Sequence, residues 1–303
     1  MESSSWIAFT LAAATLQAVR TAGQKHLTTH LTSVGTTLVR FLFGLPFVLL
    51  YLFILLQYFE VPFPELTQEF LISTLIASLF QIVGTIFLVY LFSLRNFAVG
   101  TTYSKTEAFL TAIVAMLFFG EIIPLAGWLA IAVSVIGMLV INAARASAAG
   151  MSTFERYWNK AAAVGLATGL CMSFSSLMIR KSSLSLELDN VLLSAGVTLA
   201  TMVCIQTTVL GVYVAVRSPN QIRIAFENWK PCLFVGITSI GGSILWFTAY
   251  TLEQVSYVKA LGQIEMVFVI FLTTLFFKER ITSKEMLGII LVTSGVLLLI
   301  TTA

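Results

Sequence analysis

Charge is what this sequence has least of. Asp, Glu, Lys and Arg make up only 10% of it, against about 25% in soluble domains. A chain so poor in polar surface cannot meet water on every side. Strict apolar–polar alternation is missing as well. That argues against a membrane β-barrel and leaves helices to satisfy the backbone in lipid. Cysteine is scarce: Cys171, Cys204 and Cys232 lie in or beside apolar segments, none at metal-ligand spacing, and are expected to be reduced core residues. No basic patch with interleaved aromatics occurs, so the net charge of +3 implies no nucleic-acid partner. No Gly-rich phosphate loop, nucleophile elbow or kinase signature appears, so neither an enzyme nor a bound cofactor is expected. His26 and His30 have the spacing of two ligands on one helix turn. A hydrolytic zinc site also needs a third ligand and a carboxylate, and none is near in sequence, so no metal is expected.

Apolar length is what the sequence has in abundance. Apolar residues make up 58% of it, in runs long enough to cross a bilayer, which takes about 20 residues. Ten spans are predicted: Trp6–Ala22, Val34–Leu56, Phe70–Leu91, Ala98–Phe119, Leu125–Ala143, Ala161–Ile179, Val191–Val216, Leu233–Tyr250, Val255–Phe277 and Lys284–Thr302. The first has no small-residue cleavage site followed by a soluble domain, and nine more follow it, so it is expected to stay as a helix. Pro62 and Pro64 mark an acidic loop, Pro124 opens the fifth span, and Pro219-Asn220 marks the loop after the seventh. The polar stretch 145–160 is the expected joint between two halves. Pro46 is expected to kink the second span, and Gly241-Gly242 to loosen the eighth. Gly165 and Gly169 offer the sixth a small-residue packing face. Trp6, Trp158 and Trp229 sit at span ends, as interfacial anchors do.

The chain repeats itself. A shift of 158 residues overlays spans three to five on spans eight to ten without a gap. Leu75 meets Leu233, Gly84 meets Gly242, Leu94 meets Leu252, Glu107 meets Glu265 and Gly137 meets Gly295. Leu117-Phe118-Phe119-Gly120-Glu121 meets Leu275-Phe276-Phe277-Lys278-Glu279. Two repeats with an odd helix count insert with opposite topology. That creates an in-plane pseudo-two-fold axis with a site between the halves near the midplane. The expected fold is an all-α membrane protein of ten transmembrane helices in two inverted five-helix repeats, residues 1–150 and 151–303.

The run Thr37-Leu38-Val39-Arg40-Phe41-Leu42-Phe43-Gly44 resembles the arginine-phenylalanine start of the second helix in EamA-type transporters of the drug/metabolite transporter superfamily. The endings at Glu121 and Glu279 resemble that family's fourth and ninth helix ends, and Gly137 and Gly295 its fifth and tenth helix glycines. The likeness covers nearly the whole chain, with one departure: Thr198 stands where the shift from Arg40 lands. The resemblance implies ten helices and export of amino acids or other metabolites, and names no substrate.

Ionisable groups inside a membrane helix are costly and usually face a cavity or one another. Five are singled out: Arg40, Lys105, Glu107, Lys259 and Glu265. On a continuous helix Lys105 and Glu107 stand about 200° apart. Lys259 and Gln263, four apart, share a face, which by the repeat is also that of Thr101 and Lys105. One reading makes this cationic-polar stripe the lining of a central cavity for an anionic or zwitterionic group, with Glu107 and Glu265 exchanging protons. The other has the carboxylates pair with Arg40 or a lysine and lock helices together. Lys259 stands a turn from its helix start, within snorkelling distance of the interface. Glu121 and Glu279 are expected to complement the next helix N-terminus. Tyr103, one turn before Glu107, and Trp246 are aromatic pocket candidates.

These features point to a secondary transporter in the bacterial inner membrane, exporting a small solute with proton coupling as an option. The partners are membrane lipids and that solute. Two halves in one chain make a monomer sufficient and leave a dimer open. The cationic stripe also suits a flippase for a lipid headgroup or lipid-linked sugar, and a passive channel remains a third alternative. Lysines and arginines outside the five sites crowd the odd-numbered loops, twelve against two. The positive-inside rule then puts the termini outside the cytoplasm, against the cytoplasmic termini the resemblance implies.

Overall fold

In a computed structural model, residues 5–94, 104–148, 160–265, 267 and 282–300 are described. Every regular element among them is a helix. In chain order these are α1 (Ser5–Leu27), α2 (Ser33–Leu42), α3 (Leu45–Tyr58), α4 (Gln68–Leu91), α5 (Glu107–Phe119), α6 (Leu125–Ala148), α7 (Lys160–Leu184), α8 (Val191–Arg217), α9 (Pro219–Glu227), α10 (Trp229–Leu252), α11 (Val255–Gly262) and α12 (Ser283–Ile300). Five spans among them are long and apolar enough to cross a membrane: Ser33–Tyr58, Gln68–Leu91, Lys160–Leu184, Val191–Arg217 and Trp229–Leu252. Helices α5 and α6 add shorter apolar runs.

Side-chain oxygens set the helix starts by accepting from otherwise unpaired amides. Thr32 accepts from Gly35, Thr67 from Phe70 and Asn190 from Leu193, each at 3.1 Å. At α12 the arrangement is reciprocal. Thr282 Oγ1 accepts from the Glu285 amide at 3.3 Å, and Glu285 Oε2 accepts from the Thr282 amide at 2.9 Å. Helix α5 ends on Gly120 at φ +65°, a left-handed conformation that a side chain would strain.

Three spans that read as continuous are interrupted. The second breaks at Phe43–Gly44 and resumes as α3 with Pro46 in its first turn, as the expected kink required. A Cβ at Gly44 would stand 2.8 Å from the Arg40 carbonyl and from Ile240, so the break also admits α10. The fourth span has a turn at residues 105–106 and starts α5 at Glu107. The ninth stops at Gly262 and turns at residues 263–264. The last two breaks fall on matching positions under the 158-residue shift, each just before a matched glutamate.

Helix α1 packs on α10, α4 on α7, α6 on α12, α5 on α7 and α11, α11 on α1, and α8 on α2 and α3. Glycine brings α6 and α12 to backbone contact: a Cβ on Gly137 would lie 2.6 Å from the Val292 nitrogen, and one on Gly295 would lie 2.7 Å from the Ser134 nitrogen. Leu49, Leu50, Phe53 and Ile54 of α3 stay exposed, as side chains meant for lipid do.

Several local expectations are corrected. Trp6 is buried in the core and is no interfacial anchor, whereas Trp229 is half exposed; Trp158 lies outside the described residues. Gly241-Gly242 does not interrupt α10, because Leu16 of α1 packs over both glycines. Pro219 opens the short helix α9. All three cysteines are free, but only Cys232 is buried in the core; Cys171 is half-buried and Cys204 exposed.

Candidate functional site

The two matched glutamates and the two lysines form crossed ion pairs. Lys105 Nζ donates to Glu265 Oε2 at 2.7 Å, and Lys259 Nζ donates to Glu107 Oε1. Each pair joins the first half of the sequence to the second. The separate faces expected for Lys105 and Glu107 assumed a continuous helix. With a turn at 105–106 that rotation no longer applies, and each side chain reaches its own partner. The expected stripe of cations apart from carboxylates is therefore replaced by lysine–glutamate pairs, and neither carboxylate takes Arg40. Lys259 does not snorkel. Its ammonium lies 5.5 Å from the Trp246 ring and 5.3 Å from that of Tyr250, which stack on each other.

The breaks are tied to one another. Gln263 Nε2 donates to the Lys105 carbonyl at 3.1 Å, and Gln17 Nε2 donates to Glu265 Oε2 at 3.1 Å. The start of α5 is seated on α7: Ser173 Oγ donates to the Glu107 carbonyl at 3.2 Å, and Gly169 admits Leu110 and Glu107 to close contact. Trp246 is pressed on Gly262, where a Cβ would stand 2.6 Å from the ring. The pairs are not sealed. The side chains of Lys105 and Glu107 keep 23% and 21% of their surface open, whereas Glu265 keeps 8%. Tyr103 and Thr101 lie outside the described residues.

Arg40 is buried, donates Nη1 to Thr85 Oγ1 at 3.2 Å and lies against the Phe41 ring. The sequence reading missed its neighbour. Arg20 counted there as a loop charge, but α1 continues to Leu27 and buries it. It lies within electrostatic reach of Arg40, Glu265 and Tyr250. Gln17, Arg20 and Gln24, spaced three and four apart, form a polar stripe on one face of α1. That spacing was the available signal. Tyr250 carried no such signal and is the common neighbour of Arg20, Arg40, Lys259 and Glu107.

A second polar group lies at the far ends of α5, α7 and α10. Arg180 Nη1 donates to the carbonyls of Tyr250 at 2.6 Å and Thr251 at 3.4 Å, and to that of Glu253, closing the end of α10. Glu121, expected to complement the next helix, makes no cap bond. One of its oxygens is buried without a hydrogen-bond partner. Burial pushes its carboxyl above the ordinary value, Arg180 pulls it down, and Glu253 pushes it up. Glu279 lies outside the described residues. His26 sits in α1 and His30 in the turn after it, ring centroids 6.3 Å apart. No group of three metal-holding side chains occurs among the described residues.

No curated protein matches the chain. A solved structure described only as a crystal structure of a protein matches with a TM-score of 0.73 over 99% of this chain and 98% of that one. At 14% identity that likeness shows the fold alone. The sequence model of the EamA-like transporter family matches residues 4–143 and again 159–301. Those two matches span almost the whole chain, which therefore belongs to the EamA-like transporter family, membrane transporters of the drug/metabolite superfamily.

Proposed function

We propose that the chain is a secondary active transporter of the bacterial inner membrane. It exports a small anionic or zwitterionic metabolite, an amino acid or a similar solute, by alternating access between two inverted five-helix halves, residues 1–150 and 151–303. The observation that carries this reading is the pair of crossed ion pairs, Lys105 with Glu265 and Lys259 with Glu107. Ionisable groups in lipid are costly, and a buried pair adds little stability over apolar packing. Their placement at matching breaks, with surface left open, suits a contact that halves make and break as they rock.

Three features support the ten-span inverted arrangement. The family match falls twice on the chain. The 158-residue shift aligns the two breaks. The helix contacts exchange under that shift: α1 on α10 corresponds to α7 on α4, and α5 on α7 corresponds to α11 on α1. Glu107 and Glu265 are the groups proposed for proton coupling, as the two carboxylates through which one half is joined to the other.

The test is solute counterflow in proteoliposomes. The wild-type protein is expected to show saturable counterflow, which a passive channel does not. Lys105→Ala and Glu265→Gln should each abolish it while the protein still elutes and melts as a folded species. Full activity in both variants would remove these residues from the transport path.

A further inference from the structure

The charge inside the central cluster does not balance. Among the described residues four cations meet there, Arg20, Arg40, Lys105 and Lys259, with two carboxylates, Glu107 and Glu265. Both carboxylates are taken by lysines, and Glu265 accepts from Gln17 as well. The arginines are left over. Among the described residues Arg40 has one hydrogen bond, to a neutral hydroxyl, and Arg20 is buried with its Nε–H unmatched. Both arginines are carried by helices, α1 and α2, that pack on α10, and like charge gathered there is repulsive.

Among the described residues the Nε–H of Arg20 and the Nε1–H of Trp246 are buried donors without acceptors, while Gln24 is buried with both ends of its amide unmatched and Gln263 with its Oε1 unmatched. Tyr250, stacked on Trp246 and neighbouring both arginines, ties the indole and the two guanidinium groups into one neighbourhood. Buried donors and uncompensated cations call for the same thing, an oxyanion that accepts from both arginines. An α-amino group would add a further positive charge to a cluster in which cations already outnumber carboxylates.

We infer that the solute is a small organic anion whose oxyanion group binds between Arg20 and Arg40, in preference to zwitterions and cations. The inference rests on the transporter reading and narrows its substrate class. Carboxylate and phosphate share the recognising chemistry, and the experiment separates them.

Proteoliposomes preloaded with unlabelled solute would be offered the matching labelled one, with succinate and pyruvate as carboxylates, glycerol 3-phosphate as phosphate, alanine as zwitterion and putrescine as cation. At least one anion is expected to exchange about tenfold faster than alanine or putrescine. Arg20→Gln and Arg40→Gln should each slow that exchange at least about tenfold, and Arg40→Lys should recover part of it. The panel on the wild-type protein stands even if an arginine variant fails to fold. Exchange of alanine or putrescine with no anion exchanged would overturn the inference and leave the transporter reading intact. Exchange of none of the five would overturn both.

Discussion

At Glu121, burial and charge work against each other. Its carboxyl sits in the short link between α5 and α6, pushed upward by burial more than Arg180 pulls it down. A carboxylate whose folded value lies above its unfolded one favours the protonated state on folding. It therefore opposes stability increasingly as pH rises above the ordinary value of 4.5, in full above the raised value, and the penalty vanishes below 4.5. Glu121→Gln is expected to raise the melting temperature at pH 7.5, and the gain should shrink as pH falls toward 4.5. Melting curves of both proteins across that range check this; a gain independent of pH would point to packing. The same residue shows where sequence reading stops. Its position before a helix suggested a cap, but the neighbours that set its chemistry, Arg180 and Glu253, are far away in the chain. Arg20 is a different case. Its spacing from Gln17 and Gln24 was visible, but ending the first span at residue 22 left it at the rim, although α1 runs on to Leu27.

The helices divide by what breaks them. The interruption at Gly44 announces itself, because a glycine and a proline two residues on can be read directly. The turns at 105–106 and 263–264 hold neither residue type; Gly262 stands just before the second, a lone glycine in an apolar run, and Lys105-Thr106 carries no breaking signal at all. They yield to their surroundings, where Gln263 binds the Lys105 carbonyl and α7 seats the start of α5. The element of the fold most legible in the sequence is the contact between α6 and α12. Its glycines at 137 and 295 match under the shift, and both touch backbone across the interface. Backbone cannot swing aside as a side chain can. Gly137→Val should therefore destabilise the protein by about 1–3 kcal/mol, in the range found for overpacked cores. Melting in detergent would show it. An unchanged midpoint would mean that the two helices separate without penalty.

Across the whole molecule, orientation and mechanism are separate questions. With Arg20 inside α1 the loop count stands at eleven cations against two, and the positive-inside rule still predicts termini outside the cytoplasm, against the cytoplasmic termini the family resemblance implies. A periplasm-active reporter fused after residue 303 should be active, and a cytoplasm-active one silent. Mechanism turns on whether the crossed pairs are moving contacts or fixed rivets. Each joins one half to the other, so a charge exchange separates the two cases. Lys105→Glu alone sets like charges face to face, and Glu265→Lys does the same with the opposite sign. Each should stop transport. If the contact forms and breaks during the cycle, the double variant restores the attraction and some flux. Coupling between the two sites should reach at least about 1 kcal/mol, roughly fivefold in rate. A rivet predicts something else: melting temperature recovers in the double variant because the halves are joined again. Flux then depends only on whether the halves are held, so it should track the melting temperature across all three variants. The moving-contact case breaks that correlation, because flux also requires the pair to part and re-form in each cycle, which the melting temperature does not read. Stability recovered in full with flux recovered only in part is therefore the signature expected of a working contact between the two halves.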